Sequence, residues 1–335
     1  MSFQEFDSKK PKPRRSKGKV KDNLKKLIKK YNIPPVQLKK HFTPEEILNQ
    51  LRETFGKEKF KVLWSGGKDS GSTVGVLDDL DALDELLTVD TGIATPDLFD
   101  FLKDESNRHG WKWKLLPPKY DYGDWVLKYG FPGPQAHGIV MGKLKYQVYR
   151  NHVNSLKDDK ICLMSGVRRS ESDRRNKKYP YHIDEDGKMM MARPIFYWKS
   201  LEPKEYCLKN DIKIAPAYNS LHISGDCMCG SFADPSEPML LKVFYPKTFE
   251  YIKSLESRIQ TEGTKLAKKY SKWGSGVGIS EAELQKTFDE YPIMEDACED
   301  CSIHHENIVL ENQKTSILDE IDSMDDKIKA LGPSI

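Results

Sequence analysis

Residues 59–80, "KFKVLWSGGKDSGSTVGVLDDL", constrain this chain more than any other stretch. An apolar run that reads as a buried strand breaks at Ser65-Gly66-Gly67-Lys68-Asp69-Ser70, and a helical pattern follows at once, expected over Ser70–Leu80. A strand that turns directly into a helix is the first half of a βαβ unit, and the pattern repeats. "ELLTVD" (85–90) reads as a second strand. "TPDLFDFLKDESNRHG" reads as a helix opened by Thr95 with Pro96 in its first turn, and "KWKLLP" (112–117) as a third strand. A long loop containing "YGFPGPQAHG" leads to a helix expected over Gly142–Leu156, then to a fourth strand, "ICLMSG". The expectation is an α/β fold, a parallel sheet with helices on both faces, with ligands at the carboxyl ends of the strands. Beyond about residue 190 the alternation fades. The expected division is a basic arm with short helices over 1–50, a nucleotide-binding α/β domain over 51–220 and a cysteine-containing, helical or irregular region over 221–335.

With 38% hydrophobic and 31% charged residues among 335, the composition is that of a globular chain. No apolar run approaches the roughly 18 residues that span a bilayer, and no apolar segment near the N-terminus reads as a secretion signal. The expectation is a cytoplasmic protein with no membrane partner. In a reducing compartment, clustered cysteines point to metal or catalytic chemistry rather than disulfides. The net charge of +3 conceals a strongly basic stretch, residues 8–30, in which Asp22 is the single acid. Such an arm suits a polyanion, while a merely solubilising tail is the plainer alternative. "TSILDEIDSMDDKIKALG" (315–332) reads as an amphipathic closing helix.

The corner at residues 65–70 suits a phosphate. A helix start offers unpaired N–H groups and partial positive charge, Gly66 and Gly67 allow close approach, Lys68 adds charge, and Ser65, Ser70 and Ser72 add hydroxyls. A Walker loop is excluded because Asp69 follows Lys68 and the earlier glycine is missing. The dinucleotide fingerprint is absent as well.

"SGGKDS" resembles the pyrophosphate loop of the ATP pyrophosphatases, the adenine nucleotide alpha hydrolase-like superfamily. "TVDTG" (88–92) and "GVRRSESDRR" (166–175) resemble segments of its phosphoadenosine phosphosulfate (PAPS) reductase-like branch, so the likeness covers roughly residues 55–235. It implies ATP with Mg as the bound nucleotide, contacted by Ser65, Gly66, Gly67, Lys68, Asp69, Ser70, Asp90 and Thr91. It also implies catalytic roles for Lys68, Asp69, Arg168, Glu171 and Arg174, the arginines gripping phosphate with forked donors. True reductases of the branch carry a degenerate loop, so the intact one favours ATP cleaved to AMP and pyrophosphate.

Two cysteine pairs remain: Cys227 and Cys229 in "SGDCMCGSF", Cys298 and Cys301 in "DACEDCSIHH". Four thiolates can hold zinc or a [4Fe–4S] cluster. Relatives with an intact loop and four cysteines, among them tRNA thiolases and DNA phosphorothioation sulfurtransferases, favour the cluster, with zinc as the alternative. Cys162 reads as a core thiol and Cys207 as an ordinary helix residue. The resemblance implies an ATP-dependent sulfurtransferase acting on DNA or tRNA, with a sulfur donor such as a cysteine desulfurase. "EDCSIHH" also resembles the reductases' Glu-Cys-Gly-Leu-His, with Ser302 in place of the glycine, which keeps open a PAPS or adenosine phosphosulfate (APS) reductase with Cys301 as nucleophile. A non-catalytic nucleotide-binding regulator is the third reading.

Overall fold

The computed structural model describes residues 42–156, 161–171, 181–183 and 189–275. The basic arm, Arg174, Cys298, Cys301 and the expected closing helix lie outside the described residues. The elements that position the site are α1 (Pro44–Phe55), β1 (Phe60–Leu63), α2 (Lys68–Asp79), β2 (Leu83–Val89), α3 (Leu98–His109), β3 (Trp113–Leu116), α4 (Tyr122–Tyr129) and α5 (His137–Met141). They are followed by a π-helical turn (Gly142–Tyr146), α6 (Gln147–Ser155), β4 (Ile161–Met164), β5 (Tyr181–Ile183), β6 (Met189–Ala192), α7 (Glu202–Lys209), α8 (Ala217–Leu221), α9 (Glu237–Phe244), α10 (Pro246–Glu262) and α11 (Lys265–Lys269). No described helix is long and apolar enough to cross a membrane.

The strands form one sheet in the order β3-β2-β1-β4-β6-β5. Every pairing among the first five is parallel, and β5 adds an antiparallel edge. The expected α/β class is thus the observed one. Helices cover both faces because alternate strand residues feed two cores. Val62, Cys162, Met164, Met190 and Ala192 pack with residues of α1, α2, α3 and α7. Leu63, Ile161, Leu163, Met189 and Met191 pack with Tyr149 and Val153 of α6. A third core, built from α4, α5 and α8–α11, encloses Cys227, Met228 and Cys229.

Several boundaries differ from the sequence reading. Helix α2 starts at Lys68, two residues early, because Gly67 takes an extended capping conformation (φ −75°, ψ 166°). Helix α3 starts at Leu98 with Asp97 in the cap position and no side-chain cap bond; Thr95 stands ahead of the helix, its N–H donating to the Gly225 carbonyl at 2.8 Å and its carbonyl accepting from the Leu98 N–H at 3.2 Å. The segment ahead of Gly142 is helical too: α5, the π turn and α6 run on as one rod over 137–155. Helix α4 and strand β6 were not expected.

From β1 the chain proceeds outward to β2 and β3, then returns to add β4 and β6 on the opposite side. The order therefore reverses between β1 and β4, and in open α/β sheets the crevice for ligands opens at such a reversal, beyond the carboxyl ends of the strands.

Candidate functional site

Two of the three motifs carrying the resemblance, residues 65–70 after β1 and 166–175 after β4, leave the sheet at that crevice. The loop after β1 is held by its own hydroxyls. The Ser65 N–H donates to Ser70 Oγ at 3.2 Å, the two Oγ atoms lie 3.0 Å apart, and Ser70 Oγ donates to the Gly67 carbonyl at 3.2 Å. Gly66 sits at φ +83°, where a Cβ would be within 3.2 Å of Ala215, Leu98 and Leu102, so only glycine fits. From below, the Ala215 N–H donates to the Gly66 carbonyl at 2.8 Å.

The helix that this loop opens begins without a side-chain cap although Lys68 through Leu77 are all buried. Ser72 and Thr73 turn their hydroxyls back to the Asp69 carbonyl, at 3.0 and 2.9 Å, and so do not serve as caps. A helix start with uncapped N–H groups and aligned peptide dipoles has the donors and partial positive charge that suit an anion.

Charge at the corner is arranged around Asp69. Its Oδ2 accepts from Lys68 Nζ at 2.7 Å, and its Oδ1 accepts from Arg168 Nε. Arg168 follows β4 and is fully buried; it also donates to Ser170 Oγ at 3.0 Å and lies 3.6 Å from the Glu171 carboxylate. The structure thus brings Lys68, Asp69, Arg168 and Glu171 together in one buried network of two cations and two anions. Gly166, which opens the arginine segment, lies directly on the loop: a Cβ there would be 2.5 Å from the Asp69 carbonyl carbon. The first glycine of that motif is a packing requirement.

At the end of β2, Asp90 Oδ1 accepts from the Gly92 N–H at 2.8 Å, and Thr91 is fully buried. The Thr91 hydroxyl donates to the Asp226 carbonyl at 2.8 Å, and the Met228 N–H donates to Ile93 at 2.8 Å. The cysteine loop therefore lies along the same strand end as the expected nucleotide contacts. Cys227 and Cys229 are both buried and their thiols contact each other. The hydrogen bond to Cys229, reinforced by burial, holds the Cys227 thiol well above the usual cysteine range. Lys145 pairs with Asp226 beside them. On the other side, Trp273 Nε1 donates to the Met228 carbonyl at 2.9 Å. Among the described residues no three His, Cys, Asp or Glu side chains gather to hold a metal, so this loop supplies two thiols of the four expected.

Sequence reasoning missed three participants. Cys207 lies on α7, a helix residue as expected, and its thiol also donates to the Lys68 carbonyl at 3.4 Å, behind the 65–70 corner, while burial pushes it up to about 12. Asp226 stood next to a cysteine pair that drew the attention. Lys145 carries no signal in its spacing.

Residues 59–231 match the family model described as the phosphoadenosine phosphosulfate reductase domain, just over half of the chain. Two uncharacterized proteins of Methanocaldococcus jannaschii are similar, one 28% identical over 210 residues, the other 24% over 219. The alignments take in 60% and 63% of this chain but 42% and 50% of those proteins, so the chain spans about half the length of the curated relatives it matches. Among solved structures, a phosphoadenylyl-sulfate reductase from Candida auris superposes at a TM-score of 0.41 with 14% identity, covering 63% of this chain and 94% of that one. An FMN adenylyltransferase from Candida glabrata gives 0.38 and 12%, covering 61% and 69%. Superpositions this loose do not bear on the reaction. By the match of residues 59–231, the chain belongs to the phosphoadenosine phosphosulfate reductase domain family.

Proposed function

We propose that this protein is an ATP-dependent adenylating enzyme that prepares an oxygen of a nucleic acid for replacement by sulfur. The observation that carries the reading is the buried, uncapped start of α2 behind an intact Ser-Gly-Gly-Lys-Asp-Ser loop. Such a corner suits the pyrophosphoryl end of ATP, and it has little purpose in an enzyme whose nucleotide ends elsewhere. An acceptor oxygen attacks the α-phosphorus, the bond from the α-phosphorus to its bridging oxygen breaks, and pyrophosphate leaves along the helix start, whose N–H groups and Lys68 would receive its charge; Mg bound with the nucleotide would help neutralise that charge. The terminal sulfur of a persulfide, carried by a donor such as a cysteine desulfurase, then displaces AMP from the acceptor, and a second thiol cleaves the remaining S–S bond, leaving sulfur on the acceptor and a disulfide on the thiol side.

Lys68 and the α2 N–H groups hold the departing phosphates. Asp69, fixed by Arg168, sets the position of the Lys68 ammonium, and Arg168 in turn is braced by Glu171. Asp90 and Thr91 stand at the nucleotide edge, Arg174 adds charge to the segment after β4, and the basic arm draws in DNA or tRNA.

Cys227 and Cys229 fit a thiolate-bound metal, since they meet in a buried loop; Cys298 and Cys301 complete the set in this reading. The last described residue, Ser275, follows shortly after Trp273, whose indole bonds the Met228 carbonyl between the first two cysteines. An iron–sulfur centre held by these thiolates would supply sulfur or redox chemistry, and zinc a structural tie.

The test is to incubate the full chain with ATP, Mg and DNA or tRNA and to assay AMP and pyrophosphate. Release of both, dependent on the nucleic acid, is the expected result. ATP left intact, or cleaved to ADP, overturns the reading. The family match favours a second reading, reduction of PAPS or APS with Cys301 as nucleophile. Sulfite formed from either sulfonucleotide with a thiol reductant would establish it.

A further inference from the structure

We propose that residues 315–332 of this chain dock as a helix on the outer face of α9, laying their apolar stripe along Met239 and Val243. The proposal is independent of the adenylation reading.

Helix α9 is buried on one side only. Leu241 packs in the core that encloses the cysteine loop, Leu240 lies at the margin of that core, and Glu237, one turn before Leu241, is buried with it. On the opposite side Met239 and Val243, also four residues apart, are each 66% exposed, and Phe244 at the helix end is 54% exposed. A single exposed apolar side chain is ordinary. A run of them along one helix face marks a place where another element sits. Lys242 on the helix and Lys247 just past it are exposed too, and neither is paired with an acid among the described residues. With Glu237 turned inward, the outer face of α9 is apolar with a positive edge.

Residues 315–332 carry the complement. Ile317, Ile321, Met324, Ile328 and Leu331 recur at alternating steps of four and three, the seam that one helix presents to another. Around that seam stand Asp319, Glu320, Asp322, Asp325 and Asp326 against Lys327 and Lys329, an acidic surround for the lysines of α9. A helix of this length is marginal alone in water and depends on covering its stripe. The described chain ends beside the same face: a Cβ on Gly274 would lie 2.9 Å from that of Ala233, in the loop that leads into α9. Belonging to one chain, the segment meets α9 as an intramolecular partner, an advantage that a second copy lacks. Docking would close residues 276–314, Cys298 and Cys301 among them, into a loop with both ends beside residues 233–244.

Hydrogen exchange of the full chain, followed by mass spectrometry at a concentration where sedimentation shows a monomer, tests this. Amides of 315–332 should exchange slowly. Val243→Asp, at an exposed position that does not endanger folding, should speed them about ten-fold or more, and Lys242→Glu several-fold. Leu208→Asp, on a leucine of α7 that is 72% exposed, should leave them unchanged. In the reverse direction, Ile321→Asp should speed the oxidation of Met239 to its sulfoxide by added peroxide. Amides of 315–332 that are unprotected in the native chain overturn the proposal, as does protection unaltered by Val243→Asp or lost equally with Leu208→Asp. A dimer that Val243→Asp dissociates would assign the face to a second copy and overturn it as well.

Discussion

Gly166 packs on the Asp69 backbone so closely that a Cβ on it would lie 2.6 Å from the Asp69 carbonyl oxygen as well as 2.5 Å from its carbon. The contact joins the two motifs across the crevice between β1 and β4. Neither side can yield easily, because Asp69 lies in the first turn of α2 and Gly166 lies two residues before the buried Arg168. Gly166→Ala should therefore displace the phosphate corner, lower stability by about 1–3 kcal/mol, and weaken ATP binding. Denaturant unfolding and a nucleotide titration measure the two effects. Wild-type values in both would show that the crevice is more compliant than this contact implies.

Lys68→Ala and Asp69→Ala should both abolish pyrophosphate release, yet differ in stability. Removing Lys68 leaves Asp69 paired with Arg168. Removing Asp69 strips the fully buried Arg168 of its carboxylate, a loss expected to cost about 3–5 kcal/mol. Urea unfolding of the two variants separates them. Equal stability would mean that the Arg168 charge finds another carboxylate, with Glu171 the nearest candidate at 3.6 Å.

Metal analysis of an anaerobically prepared sample should find iron bound, with absorbance near about 400 nm from thiolate-to-iron charge transfer. Any one of Cys227→Ser, Cys229→Ser, Cys298→Ser and Cys301→Ser should lower the metal content, while Cys162→Ser and Cys207→Ser should leave it intact. A colourless sample with one zinc per chain would make the site structural.

In the native protein, Cys207 should resist alkylation. Burial and the nearby Asp69 charge raise its thiol to about 12, so the thiolate fraction is negligible at pH 8 and grows only as pH rises toward that value. Mass spectrometry after iodoacetamide treatment at pH 8 reads this directly. Rapid modification of Cys207 in folded protein would contradict the packing against the Lys68 carbonyl.

Deleting residues 1–21 should weaken nucleic-acid binding and flatten its dependence on salt, because each lost phosphate contact lowers the slope of log affinity against log salt by roughly one unit. A salt slope identical to that of the full chain would assign the arm another task.

The sheet was legible where the sequence carries period-two alternation into a buried run, as at Val62, Leu63 and Cys162–Met164. Helix α4 was missed although its signals are present. Asp121 caps it by accepting from the Asp124 N–H at 2.8 Å, Tyr122, Trp125, Val126 and Tyr129 recur at helical spacing, and Gly130 ends it. The surrounding glycines and prolines drew the whole stretch into a loop. The π turn leaves no trace in "GKLKY", since one surplus residue in a rod is decided by packing. Arg168 could be placed at the sheet edge from its strand alone. That its partner would be Asp69, 99 residues earlier, could not be read, nor could the bond from Thr91 to Asp226 across 135 residues.

Trp273 fixes where this protein can be cut. Its backbone N–H is held by Glu256 Oε1 at 3.1 Å while its indole is bonded to Met228, so α10 and the cysteine loop share one rivet. A shortened version that stops before residue 273 would release the peptide joining Cys227 to Cys229, and through Met228 and Ile93 the slack would reach the end of β2. A version that stops at Ser275 would keep the rivet while removing residues 276–335, the second cysteine pair among them. The end of β2 can therefore be studied apart from residues 276–335, provided the cut falls on the far side of that tryptophan.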